Sequence, residues 1–131
     1  MRKEIVISMH PENWELIKTG KKTIDIRKTR PDKIFFPFRV YVYVTGGVGV
    51  VGTFICNQIT TTIRPEQFAG KRKSCMTEEE LKRYANGKFI CGWYVQKGSV
   101  IEYETAFPIK MATGLKYPPM SWQYIDGGEE T

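Results

Sequence analysis

Short apolar stretches with a period of two or of three to four, separated by glycine and proline, divide the chain into five or six strands and two helices. Ile5, Ile7 and Met9 share one face of a first strand over residues 5–9. Pro11 then opens a helix, with Glu12 near its positive end and Trp14, Leu16 and Ile17 on its buried side. Gly20 suits the left-handed position that ends a helix, and from Thr23 the period changes to two. Thr23, Asp25 and Arg27 fall on one face of this second strand, and Ile24 and Ile26 on the other. Residues 38–44 are the clearest strand, rich in β-branched and aromatic side chains, and residues 48–56 are its hairpin partner across Thr45-Gly46-Gly47. Gly49 and Gly52 inside that partner mark either the bulges and sharp coiling of a small closed barrel or a close approach of ligand to backbone.

Residues 60–76 read as an excursion from the sheet: a threonine run, a turn at 64–68, and the basic Lys71-Arg72-Lys73 as a solvated loop. Thr77 and Glu80 then form a capping box, Met76 and Leu81 a hydrophobic staple, and Gly87 the stop of a second helix. Residues 88–96 and 99–109 are two further strands joined near Lys97-Gly98, offering Phe89, Trp93, Tyr94, Ile101, Tyr103 and Phe107 to the core. Pro118 and Pro119 force an extended tail that Trp122 and Tyr124 pin to the body, and residues 126–131 are expected to fray. Strand and helix do not alternate, which argues against a doubly wound sheet. The expected fold is α+β: one domain over residues 1–131, a small mixed β-barrel with a helix after the first strand and a second inserted helix.

Composition narrows the chemistry. No apolar run approaches the roughly 20 residues of a membrane span, and the amino terminus has no signal-like apolar region, which places the protein in the cytoplasm and away from membranes. Cys56, Cys75 and Cys91 are odd in number and accompanied by one histidine, so neither a disulfide framework, a metal site nor a cofactor is called for. His10, at the junction of the first strand and helix, reads as a structural hydrogen-bonder. Between Lys18 and Arg39 stand eight bases and two acids, which accounts for the whole formal excess of +6 and reads as one basic patch, a footprint for a polyanion.

Gly20-x-Lys22-x-x-Asp25-x-Arg27 follows a strand and an amphipathic helix, and is flanked by Ser8-Met9-His10-Pro11-Glu12, a Tyr-Val-Tyr strand and a Pro-Pro-x-Ser-Trp tail. In these features the chain resembles the ASCH domain family, of PUA-like fold, and its small bacterial and prophage-like members, with Asp25 where the family usually has Glu. The resemblance implies RNA or nucleotide binding in a cleft lined by the signature. It also implies an alternative, since some short members are amidohydrolases that deacylate acetylated cytidine with a lysine, a threonine and a glutamate. Lys22 matches that lysine and Glu80 the glutamate, but Asp25 occupies the threonine's place, with Thr23 the nearest hydroxyl on its face. A carboxylate is already anionic and a poor nucleophile toward amides, which favours binding over catalysis. On the binding reading Lys21, Lys22, Lys28 and Arg30 contact phosphate, Asp25 and Arg27 contact a base, and Trp122 stacks on it or merely packs. The bland readings are a strand-ordering ion pair for Asp25 and Arg27 and a plain helix cap for Glu80. A third reading is an adaptor using the tail from Pro118 to Tyr124 as a contact surface. None of these features sets an oligomeric state.

Overall fold

The computed structural model describes residues 2–127, and all structural statements below concern those residues. In chain order they form β1 (Lys3–Met9), α1 (Pro11–Lys18), β2 (Ile24–Arg27), β3 (Phe38–Val44) and β4 (Gly49–Thr62). A 3-10 turn (Pro65–Gln67) precedes α2 (Lys71–Ser74) and α3 (Glu78–Ala85), then β5 (Ile90–Val95), β6 (Ile101–Phe107), α4 (Ile109–Thr113) and β7 (Trp122–Asp126). The α+β class and the helix after the first strand are as the sequence pattern predicts. No helix is long and apolar enough to cross a membrane.

The strands form one mixed sheet in the order β2-β5-β4-β3-β1-β7, with β6 also paired to β4. β1 runs parallel to β3 and antiparallel to β7, and the remaining pairs are antiparallel. No ladder joins β2 to β7, so the sheet is not closed. It is nevertheless strongly curled. β5 and β7 stand four places apart, roughly 19 Å in a flat sheet. Yet the rings of Trp93 on β5 and Trp122 on β7 have centroids 5.8 Å apart. The barrel is therefore a rolled sheet with a seam between its two end strands.

Inside the roll lies the main core, where Ile5, Ile7, Val40, Val42, Phe54 and Trp93 meet Trp14 and Ile17 of α1. Complete burial of one such side chain, Phe54 for example, contributes about 1.5–3 kcal/mol. A second cluster lies outside it, where Ile24, Ile26 and Ile90 are covered by Phe68 and by Leu81 and Ala85 of α3. The period-two reading of β2 explains why two cores meet there. All four of its residues are buried, the isoleucines under α3 and the charged pair on the other face.

Several expectations are corrected. Thr60 to Thr62 do not leave the sheet, because β4 continues through them opposite Gly92, Cys91 and Ile90. Lys71 to Lys73 are helical, as α2, rather than loop. β5 and β6, the two strands expected to be joined near Lys97-Gly98, both lie along β4, from Thr62 opposite Ile90 to Val50 opposite Phe107, and so run end to end. That leaves β6 an edge strand, with Ile101 and Phe107 exposed rather than in the core; Phe89, just ahead of β5 at the other end of β4, is exposed as well. Asp126 is not frayed: it ends β7 opposite Lys3, with Nζ to Oδ1 at 2.8 Å. Residues 128–131, the rest of the expected fray, lie outside the described residues. The alternatives for Gly52 resolve in favour of the protein's own backbone. A Cβ there would stand 2.1 Å from the Ile101 carbonyl oxygen and 3.0 Å from the Trp14 ring, at a register shift between Val50 and Gly52.

Candidate functional site

Asp25 and Arg27 stand on the inner face of β2, at the seam. The register places them in two rows of the sheet, Asp25–Trp93–Ile59 and Arg27–Cys91–Thr61, so each row crosses β2, β5 and β4. Arg27 Nε donates to Asp25 Oδ2 at 2.5 Å, and both side chains are almost fully enclosed, at 9% and 5% exposure. Arg27 Nη1 then reaches across the seam to the carbonyl oxygen of Ser121 at 3.2 Å and its hydroxyl at 3.3 Å. Ser121 is itself fixed to β1, because Ser8 N donates to the same carbonyl at 2.9 Å. The guanidinium thus substitutes for the missing β2–β7 ladder.

The segment after β2 closes the seam from above. Trp93 Nε1 donates to the Thr29 carbonyl at 3.2 Å and Trp122 Nε1 to the Thr29 hydroxyl at 2.8 Å. The Tyr124 hydroxyl accepts from the backbone N–H groups of Asp32 and Lys33 at 2.9 and 3.0 Å. Arg30 Nη1 donates to the Ile59 carbonyl at 3.2 Å, with Thr61 Oγ1 at 3.4 Å. Trp122 is half-buried between Trp93, whose ring is tilted to it, and Tyr124, which meets it in a T-shaped contact, and this occupies it in packing. Lys28 sits over the ring of Tyr84, 5.0 Å from its centroid. Burial pushes the Tyr84 phenol up; Arg27 opposes that and Asp25 adds to it.

Lys22 departs from the surface role expected of it. It is 3% exposed, and its Nζ donates to the Ser74 carbonyl at 2.7 Å. Burial lowers its pKa, and the Asp25 carboxylate is the strongest of the charges that oppose this. Lys21 is exposed and its carbonyl accepts from the Cys75 thiol at 3.3 Å. Thr23 is half-buried and bridges two elements through its backbone, its N–H to Lys73 O and its carbonyl from Val95 N, both at 2.9 Å.

Glu80 belongs to the helix cap. Its Oε1 accepts from Thr77 N at 3.0 Å while Thr77 Oγ1 accepts from Glu80 N at 3.1 Å, and the side chain is exposed. These bonds hold its carboxyl below the ordinary value. The single basic patch read from the charge run also dissolves. Lys18 pairs with Glu15 and Glu102, Arg39 with Glu4, and Lys22 and Arg27 are buried, so Lys21, Lys28, Arg30 and Lys33 are left as exposed cations outside ion pairs. Among the described residues no cluster of His, Cys, Asp and Glu could hold a metal ion, and the three cysteines are free. His10 accepts or donates at Nδ1 to the Thr45 hydroxyl at 3.2 Å, a bond between two turns.

Ser121, Thr29, Tyr84, Cys91 and Thr61 complete the neighbourhood and were not singled out from the sequence. Cys91 and Thr61 are signalled only by register, in the row of Arg27 across β5 and β4, whereas Ser121, Thr29 and Tyr84 are brought in by side-chain contacts from outside the paired strands.

The described residues form an α+β domain built on a rolled mixed sheet with a helix after its first strand. No family model and no curated protein sequence matches the chain. Among solved structures it is similar to ASCH from Zymomonas mobilis, with a TM-score of 0.78 and 24% identity over 96% of this chain and 90% of that one. A tyrosine-to-phenylalanine variant of that protein gives a TM-score of 0.77 and 22% identity over 95% of this chain and 91% of that one. A serine-to-alanine variant gives 0.78 and 22%, over 95% and 89%. The chain has the fold of an ASCH domain.

Proposed function

We propose that the protein is an RNA- or nucleotide-binding module that works at the seam, in the cytoplasm. The observation that carries this is the buried Asp25–Arg27 pair, a fixed array of donor and acceptor at the gap between the end strands β2 and β7 of the described sheet, beside the exposed cations Lys28 and Arg30. Phosphate contacts supply affinity and position, while fixed polar groups and aromatic faces read the base. Lys28 and Arg30 serve the phosphates. Asp25 and Arg27 order the site's wall and present its polarity. Trp122 is engaged by Thr29 and two rings, so the stacking face falls better to Phe89, which is 48% exposed and lies just past the Thr62–Ile90 end of the ladder.

The amidohydrolase reading has no such support. Asp25 is neutralised by Arg27, Glu80 is committed to a solvent-facing cap, and Thr23 has no carboxylate or imidazole bonded to its hydroxyl. The adaptor reading loses its free tail from Trp122 onward, which is paired to β1.

Fluorescence titration of a short single-stranded RNA at low and physiological salt tests the proposal. Lys28→Ala and Arg30→Ala should each weaken binding and lower the slope of log affinity against log salt by about 0.7, the single-strand value per phosphate contact. Equal affinity of both variants and wild type at low salt would sink the reading.

A further inference from the structure

Between β6 and β7 the chain returns over the outer side of the sheet. Ser8 and Tyr43 alternate with the core residues Ile7 and Val42 and so face outward. Phe107 stands opposite Val50, Val50 opposite Tyr43 and Tyr43 opposite Ser8, three strand spacings or roughly 14 Å in all. At the far end Ser8 Oγ donates to the Pro119 carbonyl at 2.6 Å, and Ser8 N to the Ser121 carbonyl at 2.9 Å. Residues 108–120 therefore bridge that distance, and α4 among them rests on β4, where Val50 is wholly buried.

The bridge is well ordered. Ala112 N donates to Pro108 O at 3.0 Å and Gly114 N to Lys110 O at 2.8 Å, while Thr113 Oγ1 donates to Ile109 O at 2.7 Å and accepts from Leu115 N at 3.3 Å. Ile109, Ala112 and Thr113, spaced i, i+3 and i+4, are half-buried, whereas Lys110 and Met111 face out. Met111 is 73% exposed, Tyr117 70%, and Met120 fully. Met120 is held out between Pro119 and Ser121, both tied to Ser8. A solitary exposed apolar side chain is ordinary, but three on one anchored bridge form a patch.

Charge selects what the patch fits. From Thr105 to Ile125 the chain carries Lys110 and Lys116 and no acidic residue. Both lysines are exposed and form no ion pair among the described residues; Lys116 lies over the Tyr117 ring, 5.5 Å from its centroid. A second copy docked across a two-fold axis would set the patch against itself, cations facing cations. An acidic partner instead meets opposite charge around an apolar contact, and methionine side chains adapt to the shape placed on them.

We infer that α4 and the loop from Leu115 to Met120 form a docking surface for an acidic amphipathic segment of another protein. Its apolar side chains seat on Met111, Tyr117 and Met120, and its carboxylates pair with Lys110 and Lys116. The inference does not depend on the seam's binding RNA, and β7, already paired to β1, takes no part in it.

The test is amide chemical-shift titration of the whole chain with a synthetic amphipathic helical peptide of glutamate, leucine and phenylalanine. The peptide should shift residues 107–120 and leave residues 25–33 unmoved. The same peptide with lysine for every glutamate, or with alanine for every leucine and phenylalanine, should bind roughly tenfold more weakly or worse. Met111→Ser with Met120→Ser, and separately Lys110→Glu with Lys116→Glu, should each weaken binding by roughly tenfold or more, the worth of one buried apolar anchor. All four side chains are exposed, so both double variants should keep the wild-type spectrum elsewhere. No shift at millimolar peptide, equal binding of the lysine peptide, or unchanged affinity in either double variant would each overturn the assignment. So would a dimer in sedimentation that Met120→Ser abolishes, or a short RNA that shifts residues 107–120 more tightly than the peptide does. Lys28→Ala and Arg30→Ala should leave peptide binding intact, so a failure of the seam reading is told apart from a failure here.

Discussion

Replacing Arg27 by alanine should destabilise the protein by about 3–5 kcal/mol, the usual cost of stranding one member of a buried ion pair. The partner left behind is Asp25, whose side chain is 5% exposed and would lose the bond that satisfies it. The same change removes both bonds across the seam to Ser121. With a urea m-value of about 2 kcal/mol/M, the unfolding midpoint should fall by roughly 2 M. The melting temperature should fall by roughly 10–20 °C for a chain of this size. A double replacement, Arg27→Met with Asp25→Leu, separates charge burial from packing. Because exchanging a buried pair for apolar groups of like volume is often neutral, it should recover most of the loss. An Arg27→Ala variant within about 1 kcal/mol of wild type would refute the reasoning, since the pair would then have to be well solvated.

Lys22→Met should be at least as stable as wild type at neutral pH. The folded-state pKa of Lys22 lies below its ordinary 10.5, so between the two values the unfolded chain binds more protons and wild-type stability rises with pH. Wild type should therefore gain on Lys22→Met as pH approaches 10.5, and a gap that widens in denaturant titrations would contradict the burial argument. Gly52→Ala should cost about 1–3 kcal/mol by pushing a Cβ into the Ile101 carbonyl, with faster amide exchange in β6 and little change in β5. Thr77→Ala should cost about 1 kcal/mol through the lost cap and leave RNA affinity unchanged; a selective loss of affinity would return Glu80 to the site.

Local rules made much of this fold legible. β3 is found at the predicted residues, the Thr77–Glu80 box is formed, and Gly20 has φ +81°, because each depends on neighbours within a few positions. What escaped depends on distant partners. The threonines at the end of β4 read as loop because their polarity is that of a surface, yet they face Cys91 and Gly92 on a strand thirty residues away. Ile101 and Phe107 were assigned to the core by type, but β6 has a neighbour on one side only, and Phe89 stands just outside the start of β5. In the site, the alternation of β2 put Asp25 and Arg27 on one face, and the paired side chains follow from that. Their partner Ser121 is 94 residues from Arg27, and no periodicity reports such a contact. The charge run was misleading for a related reason: four of its eight bases are taken by partners or buried, and counting charges does not reveal their partners.

The Arg27–Ser121 bridge also sets an order of events. Its two residues are 94 apart in sequence, and Ser121 is held by Ser8, which is farther still. Contacts of such long range form late, because the loop entropy they close is large and few earlier contacts reward it. Strands β3, β4 and β5 can pair and collapse around Trp93 while the seam is open, with Asp25 and Arg27 still meeting water. Docking of β7 on β1 then dries the pair and fixes the Thr29 turn against both tryptophans. On the proposed reading, the seam would be assembled for recognition only at that last step, so a nascent or partly unfolded chain would carry the charges of the site without its shape.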